Sequence, residues 1–241
     1  MKTIPVLTKR EIKRFHNIPF SIYKKDNNWI PHIMQEVEDV FDEKKNLLFR
    51  NGTARRWVLI NEAGEDIGRI AAFVDHTQSL KEKQPTGGCG FFESTNNKEA
   101  AFALFDTAKH WLDNLGVEAM DGPVNFGERN KYWGLLIEGF DKPPIYGNAY
   151  QPSYYRALFE EYGFKVFFTQ HMYEVEIQDP MIDVFVRKIS HMNDREGYSF
   201  RHIELNSLTE YAEDFRKVYN TAWKSHSNFT GITSERALRI F

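Results

Sequence analysis

A chain of 241 residues is long enough for one or two domains, and 41% hydrophobic with 15% aromatic content is the material of a packed core, not of a disordered chain. Its 31 basic and 34 acidic residues leave a net charge of −3, so no general attraction to DNA or to anionic membranes follows. Cys89 is the single cysteine, which excludes an internal disulfide and a cysteine-built zinc site.

The opening residues, MKTIPVLTKREIKRF, lack the continuous apolar core of a signal peptide. No run approaches the ~20 apolar residues of a membrane span. The two glycosylation sequons, at Asn51 and Asn228, have no secretory context, and the expectation is a cytoplasmic protein with neither DNA nor membrane as partner. Residues 4–7 read as a short strand. The Thr8-Lys9-Arg10-Glu11 run after them is a capping box, in which two side chains satisfy two orphan backbone N–H groups at a helix start. That helix leads into an aromatic-rich segment, residues 20–29. Residues 56–61 (RWVLIN) and 66–75 (DIGRIAAFVD) flank a glycine-containing turn and predict a hairpin.

Residues 87–94 predict the next strand, with Gly87, Gly88 and Gly90 crowded at its start. Thr95 or Asn97 caps a helix whose Leu104, Phe105, Ala108, Leu112 and Leu115 form one apolar face, and Gly116 ends it. Residues 117–126 predict a strand, and a strand–helix–strand unit favours a right-handed crossover with parallel pairing in the middle of a mixed sheet. Residues 154–162 predict a helix stopped by Gly163, and residues 164–177 one long or two short final strands.

A weak internal repeat follows. Residues 199–205 read as a strand and Ser207-Leu208-Thr209-Glu210 as a second capping box, again followed by an aromatic segment, residues 219–229. The expected organisation is a first domain over residues 1–180, a linker over 181–198, and over 199–241 the start of a second, incomplete copy of the first domain. On that expectation the chain is a fragment of a longer protein.

The order strand, loop, helix, strand, then a helix ending in FEEYGF (residues 159–164) resembles the GNAT superfamily of N-acetyltransferases, with its acyl-CoA N-acyltransferase fold. Several phrases resemble a bacterial group with two such domains in tandem: IGRIAAFVDH (67–76), GFFES (90–94), GPVNFGERNKYWGLLIEGFDKPP (122–144), and Val218 to Trp223. The resemblance covers nearly the whole chain. It implies an α/β (α+β) fold: a mixed, largely antiparallel sheet flanked by helices, with a V-shaped splay between the fourth and fifth strands. It also implies acetyl-CoA or another acyl-CoA as co-substrate, a small-molecule or peptide amine as acceptor, and a missing C-terminal GNAT-like domain as a partner.

In that fold the splayed fourth strand offers its backbone to the pantetheine arm of CoA, and the next helix start holds the pyrophosphate, where N–H groups and the helix dipole favour an anion. The cofactor-binding candidates are therefore Phe92 and Ser94 on the strand and Asn96, Asn97 and Lys98 in the loop. The sequence departs from the family here. Its loop has no glycine, and its three glycines precede it, where a bulge or strand entry explains them equally well. Phe159 stands where many members carry a proton-donating tyrosine.

The catalytic candidates are Glu93, Asn125, Tyr154 and Tyr155. Glu93 could deprotonate an amine if burial raises its proton affinity, or be a solvent-facing strand carboxylate. Asn125 could hold a substrate carbonyl or amine, or form a turn. Tyr154 and Tyr155 could serve the leaving thiolate, or pack as aromatic core. The loop at 128–131 could bind substrate or be a solvated charge run. Asp141 to Asn148 reads as a proline-fixed turn, with Tyr146 and Asn148 able to line a pocket. Lys44, Lys45, Arg50, Arg55 and Arg56 read as a solvated basic face or a contact for the CoA 3′-phosphate. Eight histidines show no metal-ligand spacing. Three functions stay open: an N-acyltransferase working by direct amine attack, a catalytically degenerate binding or scaffold domain, and a tRNA-dependent aminoacyltransferase, which the net charge of −3 disfavours.

Overall fold

The computed structural model describes residues 1–79, 81, 83–127, 131–178, 180–193, 195–199, 201–225, 229 and 231–241. The chain divides into two compact units, Met1–Thr169 and Gln170–Phe241.

The first unit is a five-stranded sheet in the order β1-β2-β3-β4-β5. Its strands are β1 (Lys2–Pro5), β2 (Gly52–Ile60), β3 (Asp66–Asp75), β4 (Thr86–Ser94) and β5 (Ala119–Asp121). The first four pair antiparallel, and β5 pairs parallel with β4. The helices are α1 (Lys9–Ile22), α2 (Met34–Val40), α3 (His76–Ser79), α4 (Lys98–Asp113) and α5 (Tyr155–Tyr162). The expected capping at α1 forms: the Thr8 N–H donates to Glu11 Oε2 at 2.7 Å. Gly163 ends α5 at φ 118°, a left-handed conformation that costs glycine little.

Strand alternation splits the core over the two sheet faces. Trp57, Leu59, Ile70, Ala72 and Val74 pack with α4 and α5, whose Phe105 stacks on Phe92 and whose Phe159 meets it edge-on. Val58, between Trp57 and Leu59, turns to the other face and joins Phe15, Ile18 and Val37 from α1 and α2.

One irregularity sets up the site. Between Ala71↔Gly90 and Arg69↔Glu93, β3 advances by two residues while β4 advances by three, which is a β-bulge. Phe91 carries it, at φ 50°. Cys89 and Phe92 consequently share the α4/α5 face, whereas Phe91 packs toward the α1/α2 cluster. An unbroken strand would put Cys89 and Glu93 on one face; the bulge sends Glu93 to the opposite one.

Gly87, Gly88 and Gly90 lie in the first half of β4 ahead of the bulge, and close packing adds a reason for them: a Cβ at Gly90 would stand 1.8 Å from the Val124 carbonyl oxygen. Two outcomes differ from the sequence reading. Residues 164–177 form no strand, so the parallel β4–β5 pair stands at the sheet edge and not in its middle. Strand-prone composition does not suffice where backbone groups find no ladder, and Phe167 and Ile177 are 93% and 99% exposed. Arg56 is buried at 8% exposure, not part of a solvated basic face.

In the second unit are α6 (Asp183–Asn193), α7 (Leu208–Trp223) and α8 (Ser234–Leu238). The described residues of 199–205 form no strand, and Ser207 makes no side-chain cap bond to α7. Ala212, Ile232 and Ala237 form a small core with Phe215 and Tyr219. The Asn220 amide holds both backbone groups of Ile232, at 2.9 and 3.1 Å.

Candidate functional site

β4 and β5 pair over three positions only, from Thr86↔Ala119 to Gly88↔Asp121. One further bond, from the Val124 N–H to the Cys89 carbonyl at 2.8 Å, closes the contact. The bulge comes next, and the last residues of β4 run on past their parallel neighbour. Glu93 and Ser94 lie on this open end.

Two tyrosine hydroxyls converge on one oxygen there. Tyr23, which caps the C-terminus of α1, donates to Glu93 Oε2 at 2.9 Å, and Tyr155 of α5 donates to the same atom at 2.8 Å. Arg69 Nη2 faces the other carboxylate oxygen at 3.6 Å, while its Nη1 donates to the Phe15 carbonyl at 2.9 Å. Burial raises the proton affinity of Glu93; the Arg69 charge and the two hydroxyls pull against it. Burial, then the Glu93 charge, pushes the Tyr23 and Tyr155 hydroxyls well up, so both stay protonated donors.

Ser94 is gripped from the same side. Its N–H donates to the Tyr155 hydroxyl at 2.8 Å, and its carbonyl accepts from the Tyr154 hydroxyl at 2.8 Å. Tyr154 is half-buried, and burial followed by the Glu93 charge raises its hydroxyl to about 12. Glu93, Ser94, Tyr154 and Tyr155 thus form one hydrogen-bonded group. Asn125 is buried on the segment after β5, with its amide nitrogen 3.3 Å from where a Cβ on Gly127 would stand.

Of the remaining candidates, Phe92, Asn97 and Lys98 have structural partners. Phe92 is buried in the aromatic core. Asn97 caps α4 by accepting from the Ala100 N–H at 2.7 Å. Lys98 pairs with Glu161 at 2.7 Å, both side chains being about half exposed, and lies over the Phe102 ring. Asn96 is exposed. Glu128, Arg129 and Asn130 lie outside the described residues; Lys131 contacts Tyr146, whose hydroxyl donates to Glu36.

A second constellation was not legible in the sequence. His16 Nε2 is 2.7 Å from Glu38 Oε1, and His16 Nδ1 is 2.9 Å from His32 Nε2. Arg56 donates to both Glu38 oxygens, through Nη1 to Oε1 and at 3.1 Å to Oε2. Its members stand on α1, the segment before α2, α2 and β2, so no local motif announces them. The one available hint was a charged residue, Arg56, inside an apolar strand run.

Among the described residues no group of three or more His, Cys, Asp or Glu side chains could hold a metal ion, and no helix is long and apolar enough to cross a membrane.

No family model matches the chain. It is 27% identical over 241 residues to a protein of Caulobacter vibrioides named "Bacterial ceramide synthase", covering 100% of this chain and 62% of that protein. It is 26% identical over 231 residues to "Protein YghO" of Escherichia coli, covering 94% and 57%. The chain therefore spans about three fifths of the curated relatives it matches. A solved structure named "Putative acetyl transferase from Pyrococcus furiosus" aligns with TM-score 0.40 and 14% identity over 72% of this chain and 99% of that one. The fold rests not on that likeness but on the architecture above: a mixed, mostly antiparallel five-stranded sheet with helices on both faces, a bulged fourth strand and a short parallel pair to the fifth. This chain has a GNAT-like fold.

Proposed function

We propose that this chain carries catalytic machinery of an N-acyltransferase, one that moves an acyl group from a thioester such as acyl-CoA to an amine. The observation that carries the reading is the convergence of Tyr23 and Tyr155 on Glu93 at the open end of β4, with Tyr154 beside them. A ceramide is the amide of a long-chain amine and a fatty acid, so the name of the Caulobacter vibrioides relative fits the same bond formation and favours an aliphatic amine acceptor.

The chemistry is direct attack. Cys89 is fully buried and burial pushes its thiol up, so it is no activated nucleophile. The neutral amine nitrogen adds to the thioester carbonyl, the carbon–sulfur bond breaks as the amide forms, and the proton that the nitrogen sheds leaves on the sulfur as the free thiol. Tyr154, protonated at any physiological pH and less enclosed than Tyr155, turns from the Ser94 carbonyl to donate a hydrogen bond to the departing sulfur as its charge grows. Glu93 anchors the group: one oxygen is filled by two hydroxyls and the other faces Arg69, an arrangement that suits positioning better than free general-base duty.

A second reading, a ligand-binding domain without chemistry, has its own support: the loop after β4 lacks glycine, and the Ser94 backbone is already bonded to tyrosines. An amide-formation assay with acyl-CoAs and long-chain amines separates the two. The expectation is product from the native protein and a ten- to hundredfold lower kcat in Tyr154→Phe. Binding of the thioester with no amide product from any amine tested would favour the second reading.

A further inference from the structure

We infer that Glu38, His16 and His32 form a proton relay whose outer end, His32, takes the proton that the acceptor amine must lose before it attacks the thioester. The inference rests on the acyl-transfer reading. It supplies what the Glu93 group leaves open, a place for that proton.

The direction of the relay follows from which atoms can donate. Glu38 is ionised between the Arg56 guanidinium and His16, so it can only accept. The proton between Glu38 Oε1 and His16 Nε2, 2.7 Å apart, therefore belongs to His16. A neutral His16 with its hydrogen on Nε2 has a lone pair on Nδ1. His32 Nε2, 2.9 Å away, must then donate to it. This leaves His32 with a bare lone pair on Nδ1, and among the described residues the structure gives His32 no further hydrogen bond. The two rings lie within 28° of coplanar with 5.2 Å between centroids, the separation that an in-plane bond of 2.9 Å between ring nitrogens itself requires.

His32 is suited to pass a proton on and not to keep it. Burial first, then the positive charge of Arg69 and the neighbouring His16, holds its proton affinity down at about 3. Once Nδ1 takes a proton from the substrate ammonium, the Nε2 proton of His32 moves to Nδ1 of His16. His32 is neutral again with its hydrogen on Nδ1, and the charge rests on His16 against the Glu38 carboxylate. The amine is left neutral with its lone pair free, and no heavy-atom bond has changed. The charged groups around the relay are Arg56 from β2, Arg69 from β3, Glu38 from α2, and Lys9 and Lys13 from α1. A groove between α1 and α2, lined by Lys9, Lys13, Asn17 and Gln35, reaches His16 and Glu38, which gives the stored proton an exit to water.

Two measurements on the protein test this. The first is nitrogen-15 NMR of the histidine rings at neutral pH and through acid titration. The expected result is hydrogen on Nε2 of both His16 and His32, with His32 taking a second proton only well below the ordinary 6.5. Hydrogen on His16 Nδ1, or a His32 that charges at the ordinary 6.5 or above, overturns the relay, and this holds whether or not any substrate is known. The second is the pH–rate profile of His32→Phe, which keeps an aromatic ring at the position but accepts no proton. The expected result is a kcat at least tenfold lower near pH 6.5 with little change in KM, recovering as the pH rises toward the point where the amine deprotonates unaided. An unchanged kcat and profile in a folded His32→Phe protein overturns the catalytic role. No amide product from the native protein overturns the acyl-transfer reading and the relay's purpose with it, while the ring tautomers still uphold or overturn the relay itself.

Discussion

Glu38 shows how one side chain can tie stability to pH. Its partial burial works to raise its proton affinity, but hydrogen bonds from His16 and Arg56 and the Arg56 charge overcome that and hold it at about 2, against an ordinary 4.5. The carboxylate is thus favoured in the folded state. Its contribution is complete above about pH 4.5 and disappears as the pH falls through about 2. A depression of that size corresponds to about 3 kcal/mol. Urea titrations of native protein and Glu38→Gln check this: native stability should fall toward the variant's between pH 5 and pH 2, and a constant difference across that window would refute it. Glu38 was invisible in the sequence for a reason of distance. Its partners stand 22 residues before it and 18 after it, and only the packing of α1 and α2 on β2 brings them together. Glu93, by contrast, could be nominated early, because the resemblance to a known fold puts catalytic groups on the splayed fourth strand and the strand order places Glu93 there.

At the scale of elements, β4 repays attention because its regular and irregular halves do different things. Its glycine-rich first half lets other backbone and side chains press close, and its bulged second half turns Glu93 to the face where Tyr23 and Arg69 wait. Gly90→Ala should be severe. The added carbon would meet the Val124 carbonyl oxygen at 1.8 Å, a backbone atom that cannot swing aside. Overpacking of this kind costs about 3 kcal/mol, and thermal or urea unfolding of the variant measures it; a loss under about 1 kcal/mol would mean that the 122–126 segment yields easily. The regular elements were legible in the sequence: the capping box of α1, the hairpin of β2 and β3, the apolar stripe of α4 and the Gly163 stop. The bulge was not, since Phe91 at positive φ has no side-chain signature, unlike a glycine or asparagine. Nor was the fate of residues 164–177, whose β-rich composition is a statement about fit to a ladder and not about whether one is present.

At the scale of the whole molecule, the division at Thr169 and Gln170 falls in the stretch that forms neither helix nor strand. Phe167 and Tyr173 on that stretch are 93% and 87% exposed. Exposed irregular backbone is where proteases cut first. Limited chymotrypsin digestion should therefore make its first cut among Phe167, Phe168 and Tyr173 and release a resistant fragment close to Met1–Thr169. An early cut inside the sheet would contradict the two-unit description.

The tyrosine grip on Ser94 also carries a consequence for recognition. Whatever pairs with that backbone must first dislodge two hydroxyls, so its measured affinity is its intrinsic affinity scaled by the fraction of molecules in which the grip has loosened. If about one molecule in a hundred is loosened, binding weakens about a hundredfold, and the observed association rate levels off at high ligand concentration as release of the tyrosines becomes limiting. The same grip shields the molecule from its own kind. A strand end whose N–H and carbonyl are already bonded offers no template to the edge of another sheet, so the protein can keep an open strand in readiness without inviting self-association.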